Sequence, residues 1–201
     1  MLKIGLTGSI AVGKSFVCEV LRDLGCHVLD ADKTSRDVVA KGTDGLAEIV
    51  RHFGKNVLQA DGELDRKKMG GIVFADEQKR ELLNSIVHPL VIESQDKWIR
   101  DVEKSDPDGI AIIDAALMIE SGGYLRFNKI IVVWCEPAIQ LKRLLGRDNL
   151  SEDAAWNRIA AQMPQDEKKR FADYLIDTSA GFENTRQQVE KLVSQLRIAS
   201  P

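Results

Sequence analysis

Leu2-Lys3-Ile4-Gly5-Leu6-Thr7-Gly8-Ser9-Ile10-Ala11-Val12-Gly13-Lys14-Ser15-Phe16 opens the chain and decides its fold. Gly8, Gly13, Lys14 and Ser15 fit G-x-x-x-x-G-K-[ST] without a mismatch. The apolar run Ile4 to Leu6 reads as a buried strand, and Phe16 to Leu24 reads as a helix. A strand before and a helix after are the setting in which this motif binds phosphate. Gly8 and Gly13 lack a Cβ, so the backbone can turn tightly and bring its N–H groups to phosphate oxygens. The helix opening near Gly13 directs its N-terminal N–H groups at the same anion. Lys14 is spaced to reach β- and γ-phosphates, and Ser15 offers a hydroxyl to Mg²⁺. The motif implies a nucleoside triphosphate with Mg²⁺ and leaves open what is done with it.

Strands and helices alternate onward from this point. Strands are predicted at Leu2 to Thr7, Cys26 to Leu29, Gly109 to Asp114, Lys129 to Cys135 and Tyr174 to Ile176. Gly109 to Asp114 is a continuous apolar run, as a parallel strand covered on both faces requires. Helices are predicted from Lys33 to Lys41, Leu46 to Phe53, Glu77 to Val87, Pro89 to Lys104, Ala138 to Leu145 and Glu183 to Leu196. The charged stretch Asp148 to Arg170, broken by Pro164, reads as a mobile helical excursion. The expected fold is α/β, a doubly wound five-stranded parallel sheet.

The chain has 201 residues, enough for one such domain with inserted parts. Its net charge is −3 and it has no long basic block, so no nucleic-acid partner is expected. No apolar run approaches a membrane span. Cys18, Cys26 and Cys135 are far apart and read as buried free thiols in a reducing cytoplasm. The N-terminus is already a core strand, which leaves no room for a signal peptide.

In a doubly wound sheet, ligands sit at the carboxyl ends of the strands. Asp30 and Asp32 follow the second strand. Asp32 clears the strand end and could accept a proton from a hydroxyl attacking a γ-phosphate; equally, it could cap the following helix. Asp114 ends the third strand, where an aspartate contacts Mg²⁺ through its outer shell or simply forms a polar strand end. Arg143 and Arg147 lie one helical turn apart, able to neutralise a transferring phosphoryl group or to form a solvated face. Asn128-Lys129-Ile130-Ile131 lacks the aspartate of a guanine-reading motif and opens a strand instead of ending one, which argues against a GTPase.

Together these residues resemble the dephospho-coenzyme A kinase family. The likeness runs in order over nearly the whole chain. It rests on Gly5-Leu6-Thr7-Gly8, Gly13-Lys14-Ser15, Asp30-Ala31-Asp32, Phe53-Gly54, Leu64-Asp65-Arg66, His88-Pro89, Leu117 through Glu120, Gln140 with Arg143 and Arg147, Arg158 with Gln162, and Ala172-Asp173 with Ile176-Asp177. The P-loop is shared by many families; Asp-Ala-Asp, Leu-Asp-Arg and His-Pro at these separations are far more specific.

The resemblance implies transfer of the γ-phosphate of ATP to the 3′-hydroxyl of dephospho-CoA, in a P-loop fold of the nucleoside-monophosphate-kinase type. It implies catalytic roles for Asp32 as base, Lys14 and Arg143. It implies ATP contacts from Gly8, Ala11, Val12, Gly13, Lys14, Ser15, Phe16 and Arg147. Asp32, Arg66, His88 and Leu117 would bind the acceptor, and Ser15 would hold Mg²⁺ with Asp114 in its outer shell. One P-loop kinase domain over 1–201 would comprise a core (1–32, 105–137 and 172–201), a helical acceptor-binding insertion (33–104) and a lid (138–171). The partners implied are the two small-molecule substrates, with a monomer as the favoured state. The chain departs from the family pattern at Ser9, Ala11, Val12 and Phe16, at Ala116 through Glu120, and at Thr178. Another small-molecule or nucleoside kinase, or a nucleotide-gated switch, are the alternatives that the motif itself leaves open.

Overall fold

The computed structural model describes residues 1–199. The chain forms two compact units: Met1–Leu29 with the chain from Val102 onward, and Asp30–Asp101.

The first unit is built on a five-stranded sheet in the order β2-β3-β1-β4-β5. Its strands are β1 (Leu2–Thr7), β2 (His27–Asp30), β3 (Ile110–Asp114), β4 (Lys129–Trp134) and β5 (Tyr174–Asp177). β1 pairs in parallel with β3 and β4, and β4 with β5. Ile4, Leu6, Ile112, Ile131 and Val133 are fully buried. They share one core with Val17, Val20 and Leu21 of α1 (Lys14–Asp23) and with Val189, Leu192, Val193 and Leu196 of α9 (Phe182–Ala199). Each such side chain contributes roughly 1.5–3 kcal/mol by leaving water.

The register then sets the site. Leu6 lies opposite Asp114, Thr7 opposite Val132, and Trp134 opposite Asp177. β1 is central, so its carboxyl end emerges between those of β3 and β4, where chain direction across the sheet reverses. Asn128, the start of the rejected guanine motif, has a structural task. Its side-chain carbonyl accepts from Lys3 N at 2.9 Å and its own N–H donates to Lys3 O at 2.8 Å.

The stretch after β4 forms α6 (Pro137–Asp148), α7 (Glu152–Ala160) and α8 (Gln165–Lys169), with Pro164 at the N-cap of α8.

The second unit is helical, with α2 (Ala31–Asp37), α3 (Asp44–Phe53), α4 (Arg66–Ala75) and most of α5 (Glu77–Ser105). Val39, Leu46, Ile49, Val57, Leu64 and Met69 form its small core. Thr43 caps α3 by accepting from Leu46 N at 3.2 Å, and Asp65 caps α4 by accepting from Lys68 N at 3.0 Å.

Two boundaries differ from the sequence expectation. The helix after β2 starts at Ala31 and stops at Asp37, instead of running from Lys33 to Lys41. Asp30 caps it, and beyond Asp37 the chain turns so that Val39 is buried in the helical core. The second difference lies at Pro89. The sequence predicts a helix ending at Val87 and another opening near Pro89, yet one helix of 29 residues runs through. Pro89 cannot donate to the Ser85 carbonyl, a defect costing about 3 kcal/mol in a helix interior. Leu83, Ile86 and Val87 pack on the helical core before it, and Ile99 and Val102 are buried after it. Burial fixes both arms and outweighs the local break.

Pro89→Ala restores the missing N–H. It should raise the urea midpoint with far-UV helicity retained, by about 1–3 kcal/mol in unfolding free energy. A lower midpoint would mean that the ring, not the helix, is what this position needs.

Candidate active site

The loop from Gly8 to Gly13 leaves β1 and enters α1. A Cβ on Gly8 would stand 2.6 Å from the Val133 carbonyl oxygen, so only glycine lets the loop lie against β4. Gly13 has φ +87°, in the left-handed region, and the next residue begins α1. Ala11 also sits there, at φ 60°, a strained conformation for a residue with a Cβ. The Ser9 hydroxyl is buried and has no partner among the described residues. An unpaired buried donor in such a loop is a group that a phosphate oxygen satisfies. The loop therefore fits a phosphate chain.

Lys14, the first residue of α1, forms an ion pair with Asp114 at the end of β3. Asp114 is buried, and its other oxygen accepts from the Cys18 thiol at 3.3 Å. Cys18 stands one helical turn after Lys14. Burial, with Asp114 alongside, pushes its thiol pKa up to about 12. A buried carboxylate is tolerated where it is matched in this way. Ser15, exposed at the start of α1, and Asp114 are oxygen donors of the kind Mg²⁺ takes beside phosphates and water.

Neutral side chains from α6 and the α7–α8 region hold the loop backbone. Ile10 N donates to Gln162 Oε1 at 2.7 Å, and the Ile10 carbonyl accepts from Gln140 Nε2 at 2.8 Å. Gln140 Oε1 accepts from Gln165 Nε2 at 2.8 Å, and Gln165 Oε1 accepts from Cys135 N at 3.1 Å. Thr178, just past β5, donates its hydroxyl to the Val12 carbonyl at 2.6 Å.

Arg143 and Arg147, predicted on one face, have different surroundings. Arg143 donates to the Thr178 hydroxyl at 2.8 Å and the Thr178 carbonyl at 2.7 Å. One of its nitrogens would lie 3.3 Å from a Cβ on Gly13, which sets it against the loop. Arg147 is exposed and pairs with the Asp148 carboxylate at 2.7 Å and 3.1 Å, where Arg158 also donates. The Arg147 hydrogen bonds, with Arg158 beside them, hold the Asp148 carboxyl below the usual carboxylate range.

After β3, Leu117 is 52% exposed, between buried Met118 and the Ala116 carbonyl, which accepts from Thr7 Oγ1 at 3.1 Å. Lys168 of α8 is fully buried and bonds Ala116 and Glu120. Sequence reasoning missed Lys168. It lies in the run Gln165-Asp166-Glu167-Lys168-Lys169-Arg170, which reads as a solvated face and carries no signal separating it from Lys169.

Three predicted residues belong to the helical unit. Asp32 is exposed in the first turn of α2, and the capping role weighed for it belongs to Asp30, whose side chain accepts from Lys33 N at 3.0 Å. Arg66 opens α4 and donates to the Arg36 carbonyl at 3.3 Å. His88 is exposed on α5, just before Pro89.

A family model described as dephospho-CoA kinase matches residues 2–184. The chain belongs to the dephospho-CoA kinase family. A dephospho-CoA kinase of Shouchella clausii is 48% identical over 188 residues, covering 94% of this chain and 95% of that one. One from Listeria innocua is 46% identical over 188 residues and covers 92% of each. The solved dephospho-CoA kinase from Campylobacter jejuni superposes with a TM-score of 0.75 at 28% identity, over 99% of this chain and 98% of that one. A shikimate kinase from Aquifex aeolicus, 13% identical with a TM-score of 0.52 over 96% of each chain, shares the P-loop kinase fold alone. Among the described residues no helix is long and apolar enough to cross a membrane.

All three cysteines of this family member are free and buried. Burial pushes the Cys26 thiol up to about 11 and raises Cys135 as well. As pH rises, the unfolded chain therefore loses these protons before the native one. The stabilisation is complete below about pH 8 and is lost from about pH 9 upward. Urea midpoints should fall between pH 8.5 and 10.5, and a Cys26→Ala, Cys135→Ala variant should show a shallower fall. Equal slopes would assign the alkaline loss to other groups.

Proposed function

We propose that this chain transfers the γ-phosphate of Mg²⁺-bound ATP to the 3′-hydroxyl of dephospho-CoA, giving CoA and ADP. Family membership supports the acceptor. The observation that carries the chemistry is Lys14, held by Asp114 at the mouth of a loop whose clamps leave its N–H groups available to phosphate.

The triphosphate lies along Gly8, Ala11, Val12, Gly13, Lys14, Ser15 and Phe16. The Lys14 ammonium turns from Asp114 to the β- and γ-phosphate oxygens, stabilising charge that builds in the transition state. Bound Mg²⁺ neutralises phosphate charge, with the Ser15 hydroxyl as a ligand and Asp114 in the outer shell. Arg143 supports the loop through Thr178 and adds positive charge near its end; Arg147 closes over the nucleotide from α6. Asp32 accepts the proton of the 3′-hydroxyl as its oxygen attacks the γ-phosphorus and the bond to the β,γ-bridging oxygen breaks. Arg66, His88 and Leu117 line the acceptor side. Residues 33–104 act as the acceptor-binding part and 138–171 as the lid. The free thiols support a reducing, cytoplasmic setting.

The deciding assay is ADP release from Mg-ATP with dephospho-CoA, with adenosine, and with neither. A phosphotransferase that excludes water should be nearly idle without its acceptor. ADP with dephospho-CoA alone bears out the reading; equal release in all three would mark a slow hydrolase or switch. Lys14→Ala should lower kcat/KM by about a hundredfold or more, and full retained activity would remove Lys14 from the mechanism. Asp32→Asn should keep ATP affinity within about threefold by calorimetry and depress turnover by about two orders of magnitude. Lost ATP binding would instead make Asp32 a nucleotide or metal ligand.

A further inference from the structure

Lys168 carries a full charge with none of its surface exposed, on a helix of five residues. A buried ammonium is held only where acceptors surround it. Its Nζ donates to the Ala116 carbonyl at 2.8 Å and lies 3.1 Å from Glu120 Oε2 and 2.9 Å from Oε1. The partners are the two ends of one short segment after β3. The same Glu120 carboxylate accepts from Met163 N at 3.2 Å. The neighbouring Gln162 accepts from Ile10 N of the phosphate loop at 2.7 Å. Gln162, Met163 and Lys168 therefore hold the loop and the Ala116–Glu120 segment from one side at once. Leu117, half exposed, stands between the two anchors of that segment.

We propose that Lys168 is a positioning residue: by pinning Ala116 and Glu120 it fixes Leu117 relative to the phosphate loop, and so sets how well the acceptor is held while leaving ATP affinity alone. This rests on the reading of Leu117 as an acceptor-side residue. The charge does not act on the phosphates, since its donors are spent on Ala116 and Glu120. A segment displaced by about an ångström is enough to cost orders of magnitude in a reaction governed by alignment.

The test uses Lys168→Met, Lys168→Arg, Glu120→Gln and the Lys168→Met, Glu120→Gln double variant of the full chain. Steady-state kinetics in both substrates are combined with hydrogen–deuterium exchange of the Ser121 and Gly122 amides, which bond to Leu117 and Ile119 carbonyls at 3.0 Å each. Lys168→Met should raise KM for dephospho-CoA roughly tenfold or more, with KM for ATP within about twofold. Glu120→Gln should do the same to a smaller degree. The double variant should be no worse than Lys168→Met, because the two groups act as one unit. Lys168→Arg should recover part of the loss, and exchange at Ser121 and Gly122 should quicken in Lys168→Met. An unchanged acceptor KM in Lys168→Met and Glu120→Gln would overturn the proposal, as would equal rises in both KM values. If Lys168→Met does not fold, Glu120→Gln and Lys168→Arg decide by the same split. If the wild type does not use dephospho-CoA, the functional reading fails on its own; faster exchange in the variants then still supports the pinning, and unchanged exchange overturns it.

Discussion

A loop that offers its backbone N–H groups to an anion cannot spend those groups on itself. This constraint shapes the first unit of the molecule. The Gly8–Gly13 loop is held almost wholly from outside, at points that leave phosphate-facing donors unspent. Gly8 rests on the Val133 carbonyl, Ile10 is gripped through both its N–H and its C=O, and the Val12 carbonyl takes the Thr178 hydroxyl. The sheet register supplies the platform, since β1 ends between β3 and β4. The helices after β4 supply the clamps. Core packing and phosphate recognition are therefore one problem: a shift of β4 under Gly8 would move the cradle.

Electrostatics follow the same plan. Lys14 and Asp114 pair at the carboxyl edge of the sheet, and the Cys18 thiol takes the second carboxylate oxygen. A buried carboxylate without a cation would be costly, and a lone ammonium at the loop mouth would be free to wander. Paired, each keeps the other where an incoming triphosphate and its metal can exchange with them. The energetic gain of such a pair is small; its worth is in placement.

Much of this was legible in the sequence, and for definite reasons. Gly8, Gly13, Lys14 and Ser15 stand at a spacing that chemistry dictates, so the motif carried the loop geometry with it. Asp114 was legible because a parallel strand must end in a loop at the ligand edge. Local alternatives could not be separated: the capping role open to Asp32 belongs to Asp30, one residue before the helix, and a shift of that size is below what propensity resolves. Pro89 misled because its local penalty is fixed, while the burial that outweighs it depends on residues distant in sequence. Lys168 was invisible for the same reason. Its burial depends on Ala116 and Glu120, about fifty residues earlier, and no periodicity within Gln165 to Arg170 marks it.

The clamps on the phosphate loop have one more property. Gln140, Gln162 and Thr178, which touch its backbone directly, are uncharged amides and a hydroxyl. None titrates in the biological range, and none draws a counterion. Changes of acidity or ionic strength can alter how strongly charged groups attract a nucleotide, but the mould into which the nucleotide settles keeps its shape. The protein separates the tuning of attraction from the maintenance of form.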